Sequence, residues 1–287
     1  MQRRRAWGML AVCCVLLLAA CSARRFAYDH FDTLLRWWIG DYVSLTAAQK
    51  HALDAELVPL WNWHRQTQLP VYAADLRQLA DQVQAGPLGT EQIAAASALI
   101  DQRWQTLQDQ ALPAYARLNA LLDDAQVREM VRHIGEHIDK HAAKRRKQTP
   151  AERDQKLIDE MDKLMREWIG KPDARQNELV RQWAAQTPPA PDAQDQHALL
   201  DRYAALLASR RQDGFEQRLR DFLRTEDARA DADPSEMERE HLWRQLLVDL
   251  SASLAAEQRN TLHQHLLEYV ADCEALAAEK ARAAAAN

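Results

Sequence analysis

One short stretch, His133-Ile134-Gly135-Glu136-His137, carries a metal-binding pattern. H-x-x-E-H is the pattern of the inverted zincins. On a helix it sets two imidazoles one turn apart, beside a carboxylate that can activate a zinc-bound water. His141 extends the stripe by another turn. A hydrolytic site also needs a further ligand and supporting hydrogen bonds. Glu216 lies far enough downstream to serve, but no local motif marks it. The pattern is short, the chain has ten histidines, and Gly135 loosens the helix. His133, His137 and His141 therefore read first as a solvated polar face. They are candidate metal ligands second, and with Glu136 a hydrolase centre third. No catalytic residue is assigned and no cofactor is expected.

Other chemistries have less to stand on. The sequence contains no G-x-S-x-G, no P-loop, no dinucleotide fingerprint and no C-x-x-C. Seven glycines in 287 residues leave little for a phosphate-cradling loop. The net charge of −5 argues against a general nucleic-acid binder. The basic run Lys140 to Lys147 reads as a solvated helix end, where cations are favourable.

The elements that must position these residues are helices. Strong helix formers dominate, and no long stretch alternates apolar with polar residues. The fold class expected is all-α, a multi-helix bundle or an array of helical hairpins. Helix starts are written as capping boxes, in which a side chain at N-cap and another at N3 each satisfy an orphan backbone N–H. Thr46 with Gln49, Asp123 with Gln126, and Asp173 with Gln176 are such boxes. Thr149 with Glu152 and Ser235 with Glu238 read the same way. The stretches ending in Gln92 and Gln258 keep the Gln with weaker caps.

A shift of 43 residues aligns part of the chain with itself. Leu45 meets Leu88, Gln49 meets Gln92, and Trp61 meets Trp104. Leu69-Pro70 and Tyr72 then meet Leu112-Pro113 and Tyr115. The reading is a duplicated helical hairpin over 45–79 and 88–122, each with a Leu-Pro break. Pro70 and Pro113 should open the second helices, with Trp61 and Trp104 largely buried. The first helix is expected over 29–43. Trp37 and Trp38 on it could lie at a membrane interface, and core packing is the expectation.

The N-terminus carries an address. Arg3, Arg4 and Arg5 precede an uncharged, mostly apolar run from Ala6 to Ala20, too short to span a bilayer but suited to an export signal. The run closes as Leu18-Ala19-Ala20-Cys21, which resembles the lipobox of bacterial lipoproteins. The resemblance implies cleavage before Cys21 and covalent lipid on its sulfur and new amine. Acyl chains in that number exceed what stable anchoring needs. Ser22 in place of Asp implies the outer membrane, with the body facing the periplasm. Losing residues 1–20 makes the net charge more negative by three. Cys13 and Cys14 leave with the signal, so Cys273 is the one cysteine with a free thiol and no internal disulfide is expected.

The resulting domain reading is a signal peptide over 1–20 and a lipidated tether over 21–27. A helical region with the duplicated hairpin follows over 28–186. A Pro-rich linker over 187–194 leads to a C-terminal helical region over 195–287. The Trp-rich first helix, Leu45-Thr46-x-x-Gln49, Trp61-x-x-His64 before Leu69-Pro70, and Thr149-Pro150-Ala151-Glu152-Arg153 ahead of Trp168-Ile169-Gly170 together resemble a family of proteobacterial lipoproteins, domain of unknown function 6279. The resemblance covers nearly all of the chain after Cys21. It implies no activity, cofactor or catalytic residue. At motif level the chain is also similar to periplasmic stress chaperones that carry LTxxQ. Expected partners are a membrane, through the anchor, and another envelope protein.

Overall fold

The computed structural model describes residues 21–285, so the expected export signal over 1–20 lies outside the described residues. Among the described residues the regular structure is helical, which is the fold class expected from composition. Helices α1 (Cys21–Asp29), α2 (Phe31–Gly40) and α3 (Ala47–Trp63) lead into a π-helical segment, His64–Gln68. Then come α4 (Leu69–Ala85), α5 (Thr90–Ala120), α6 (Asp124–Arg146) and α7 (Pro150–Trp168). The chain continues through α8 (Ala174–Gln186), α9 (Ala193–Leu207), α10 (Phe215–Asp231), α11 (Pro234–Ser253) and α12 (Ala256–Ala285). None of them is long and apolar enough to cross a membrane, among the described residues.

The helices group into two units, each assembled from three separate stretches of chain. Unit 1 takes the residues up to Asn62, Trp104–Lys147 and Ala190–Asp231. Unit 2 takes Trp63–Arg103, Gln148–Pro189 and Ala232 onward. The Pro-rich stretch is one of several crossings between them, and both units draw on chain from either side of it.

Unit 1 is built around Leu112 and Ala116 of α5, Leu207 of α9, and Phe215 and Leu219 of α10. Val127 and Met130 of α6 cover them. The C-terminus of α5 ends inside this unit, and its carbonyls need donors. Arg210, nearly fully buried, donates to the Leu122 carbonyl through Nε and Nη2 at 3.0 and 2.9 Å. Arg211 donates to the same oxygen at 2.7 Å. Arg210 also pairs with Asp124, so its buried charge is met. Cations at a helix C-terminus oppose the negative end of its dipole.

Unit 2 has two apolar centres. Met161, Met165 and Ile169 pack with Val180, Leu246 and Leu250 where α7, α8 and α11 meet. Ala80, Val83, Leu88, Ile93 and Leu266 pack where α12 runs along α4. Leu164 of α7 is exposed.

The duplicated hairpin is not what the chain forms. Residues 47–85 are helical without a break, and α5 runs 31 residues straight through Pro113. Pro70 stands in the first turn of α4, as expected, but Pro113 lies inside α5 and does not interrupt it. A proline inside a helix removes one hydrogen bond and crowds the preceding turn, a cost of ~3 kcal/mol that packing can outweigh. At Pro70 the accommodation is visible, because the π turn His64–Gln68 inserts just before it. Pro70 and Pro113 therefore sit in unlike surroundings. Trp61 and Trp104 are both half-buried rather than core residues.

Two smaller expectations also change. The first helix is interrupted at His30, whose Nδ1–H reaches the Phe26 carbonyl at 2.8 Å. Helix α11 begins at Pro234, with Asp233 as its N-cap accepting from the Ser235 and Glu236 amides. Aspartate before an N1 proline outcompetes the expected Ser235–Glu238 box.

Candidate functional site

The helix caps form a device that the individual boxes do not suggest. The expected boxes at Thr46–Gln49, Asp123–Gln126, Thr149–Glu152 and Asp173–Gln176 are all present. In unit 1 the amides of Gln49 and Gln126 then face each other. Each donates Nε2–H to the other's Oε1 at 2.7 Å. The second proton of Gln49 goes to the Leu121 carbonyl at 2.8 Å, and that of Gln126 to the Ser44 carbonyl at 2.8 Å. Each Oε1 also accepts the backbone N–H of its own N-cap, at 2.9 Å from Thr46 and 3.0 Å from Asp123. Every donor and both acceptor positions of the two amides are used.

Unit 2 repeats the arrangement with Gln176 and Gln258. Their amides exchange bonds at 2.8 and 3.0 Å. Gln176 reaches the Ser253 carbonyl at 3.4 Å and Gln258 the Lys171 carbonyl at 3.2 Å. Asp173 and Ala255 donate their amides back, at 3.0 and 3.1 Å. Gln49 with Gln126 and Gln176 with Gln258 are thus paired clasps, each tying two helix starts together, whereas Gln92 caps its own helix start without such a partner among the described residues. Sequence reading found Gln49, Gln126 and Gln176 as caps. It found Gln258 as a copy with a weaker cap but missed the pairing, although the similar separations of 77 and 82 residues within each pair carry the signal.

The histidine stripe sits on α6, in unit 1. Arg132 donates Nη2–H to His133 Nε2 at 2.7 Å, so the His133 Nδ1–H donates to the Tyr42 carbonyl at 3.0 Å. Both ring nitrogens are occupied. Arg132 also binds Glu136 at 2.7 Å. The His137 ring lies 5.3 Å from Tyr42 and 6.1 Å from the His141 ring, centroid to centroid. Burial, followed by the charge of His137 and the nearby cations, holds His141 below the usual imidazole value. Glu216 stands in the first turn of α10 and pairs with Arg220 at 3.4 Å. The fold does not bring it into a shell with the stripe. Among the described residues, no group of three or more His, Cys, Asp or Glu side chains could hold a metal ion.

In unit 2 the π turn places His64 against Tyr72, with ring centroids 5.5 Å apart. Burial, with Arg65 adding to it, lowers the His64 pKa from 6.5 to about 4. Burial together with Asp272 and Glu274 raises the Cys273 thiol to about 11. At neutral pH His64 is thus a neutral ring of low basicity and Cys273 a protonated thiol, which is a poorer nucleophile than the thiolate.

The N-terminal helices of unit 1 show the opposite character. Tyr28 and Phe31 stack on Trp61, with ring centroids 4.4 and 5.0 Å away. Arg36 bridges Asp32 and Asp54, at 2.7 Å to the latter. With that face fixed, Phe26, Leu34, Trp37 and Trp38 stand outward, and Trp37 is 70% exposed. The core packing expected of Trp37 and Trp38 is overturned. Helix α2 has no buried residue, and its contact with Trp61 is made by Phe31.

Paired caps, engaged polar side chains and an exposed aromatic N-terminus define an all-α protein whose conspicuous surface is apolar. Residues 41–233 match the family of unknown function DUF6279, and the chain belongs to that family. No curated protein and no solved structure matches it.

Proposed function

We propose that the protein is a lipid-anchored lipoprotein of the bacterial outer membrane, facing the periplasm. In this reading Cys21 carries the covalent lipid, and the helical body binds another envelope protein as a chaperone-like or assembly factor. The observation that supports a binding role is a contrast between side chains. Those suited to catalysis are engaged or held in the unreactive state, as at His133, Glu136 and Cys273. Large apolar side chains, in contrast, stand exposed, among them Val58, Leu121 and Met237. Apolar side chains left in solvent are the surface that such a partner would cover, if they lie in one patch. The LTxxQ likeness adds less, since Leu45-Thr46-x-x-Gln49 is accounted for by its capping and clasp role.

The alternative, a metal-dependent hydrolase working through His133, Glu136 and His137, would require Glu136 to leave Arg132 and His133 to leave the Tyr42 carbonyl. No observation favours it over binding. The test is to purify the full chain from membranes and measure suppression of client aggregation alongside retention of envelope proteins. Protection of a client or stoichiometric retention of one envelope protein is expected. A body that does neither refutes the reading.

A further inference from the structure

We infer that helix α2 lies along a lipid surface, with Leu34, Trp37 and Trp38 inserted at the level of the headgroups and Phe26 of α1 beside them. The inference rests on the anchor reading at Cys21. It is argued from three features.

The first is reach. From Cys21 to Gly40 the chain is helical but for the single break at His30. At about 1.5 Å per residue, Trp37 then lies no more than about 24 Å along the helices from the anchoring cysteine. A lipid on Cys21 therefore keeps these side chains within about 24 Å of the membrane surface, close enough to reach it when the helices lie flat. The Tyr28 and Phe31 rings lie against Trp61 and fix α1 and α2 to α3.

The second is which face is used. Successive residues in a helix turn by roughly 100°, so Leu34, Trp37 and Trp38 share one side of α2. Phe31, Leu35 and Ile39 take the adjoining side and are half-buried against unit 1. The helix is apolar on both sides, yet the protein covers only one of them. An amphipathic protein surface needs one such side, and an interfacial helix needs the other.

The third is the chemistry of the exposed stripe. Trp and Phe with Leu suit the interface, where an apolar ring meets hydrocarbon and an indole N–H meets water. Arg36, the cation nearest the stripe, is already spent on Asp32 and Asp54. The acids Asp29, Asp32 and Asp41 balance Arg24, Arg25 and Arg36 in charge. Attraction to anionic lipid therefore contributes little, and the contact is apolar. That separates it from a polybasic membrane patch, whose hold weakens with salt.

The experiment reconstitutes the lipidated full chain in phosphatidylethanolamine–phosphatidylglycerol vesicles, with or without brominated acyl chains that quench tryptophan on contact. Emission from Trp37 and Trp38 is taken as wild type minus the Trp37→Ala/Trp38→Ala variant. Both residues are exposed, so the variant should fold, which circular dichroism checks. The difference emission should fall at least about twofold in brominated vesicles and be unchanged by raised salt, as expected of indoles at the interface. An unquenched difference emission on a chain whose Cys21 is acylated by mass spectrometry overturns the inference and leaves the anchor standing. The same holds if the stripe proves to be covered by a second copy or by another protein. Unmodified Cys21 overturns the anchor reading and the inference with it.

Discussion

Replacing Gln176 by Ala removes one half of the clasp in unit 2. The Gln176 side chain is fully buried. The substitution deletes its bonds with the Asp173 amide at 3.0 Å and with both polar atoms of Gln258 at 2.8 and 3.0 Å. The longer contact to the Ser253 carbonyl at 3.4 Å is lost as well. At ~1 kcal/mol for each of the three good bonds, plus a smaller loss from buried methylene, the cost comes to ~3–4 kcal/mol. Gln258→Ala should cost somewhat less, since that side chain is only half-buried. Because each amide is the other's partner, the double variant should be milder than the sum by ~1.5–2 kcal/mol. Gln92→Ala is the control. Its amide is exposed and accepts the Gly89 N–H at 3.1 Å, so its loss should cost under ~1 kcal/mol. Urea unfolding followed by circular dichroism measures all four. A coupling below ~0.5 kcal/mol, or a Gln176→Ala cost no larger than that of Gln92→Ala, would refute the clasp as a unit.

Acid should weaken unit 2 through His64. Its folded pKa of about 4 lies below the unfolded value near 6.5, so its neutral ring contributes in full above 6.5 and progressively less as pH falls toward 4. The whole effect is ~3 kcal/mol at 1.36 kcal/mol per unit, and His64→Gln should flatten the melting temperature over that window, an unchanged pH profile refuting the assignment. Cys273, at about 11, should react with a maleimide at pH 8 far more slowly in the native chain than in urea, and equal rates would contradict its burial. Protein purified without added metal should hold no stoichiometric zinc, and His137→Ala should leave its binding of clients or partners unchanged. Zinc at one equivalent, lost in that variant, would revive the hydrolase reading.

The fold class was legible because composition and caps are local. Asp123–Gln126, Thr149–Glu152 and Asp173–Gln176 need only four consecutive residues to declare themselves, and each sits at the helix start expected. Pro113 misled for the same reason. Pro70 and Pro113 both read as helix starts from local propensity, but only Pro70 stands in a first turn, and packing carries α5 through Pro113. Trp37 and Trp38 misled in the other direction. Hydrophobicity argues for burial, and nothing in the sequence says that α2 meets Trp61 through Phe31 instead. The interleaving of the units was out of reach, since it depends on pairings across 77 to 91 residues, such as Gln49 with Gln126 or His133 with Tyr42. The stripe His133, His137 and His141 was legible as a row but not as engaged, because Arg132 and the Tyr42 carbonyl determine what His133 does.

The proposed attachment of this helical body to a membrane stands or falls with Cys21. Palmitate labelling of cells, followed by fractionation of wild type and Cys21→Ser, tests it most directly. Wild type should carry label and sediment with outer membranes, and Cys21→Ser should carry none and appear as uncleaved precursor or soluble protein. Unlabelled wild-type protein that fractionates free of membrane without detergent would contradict the claim.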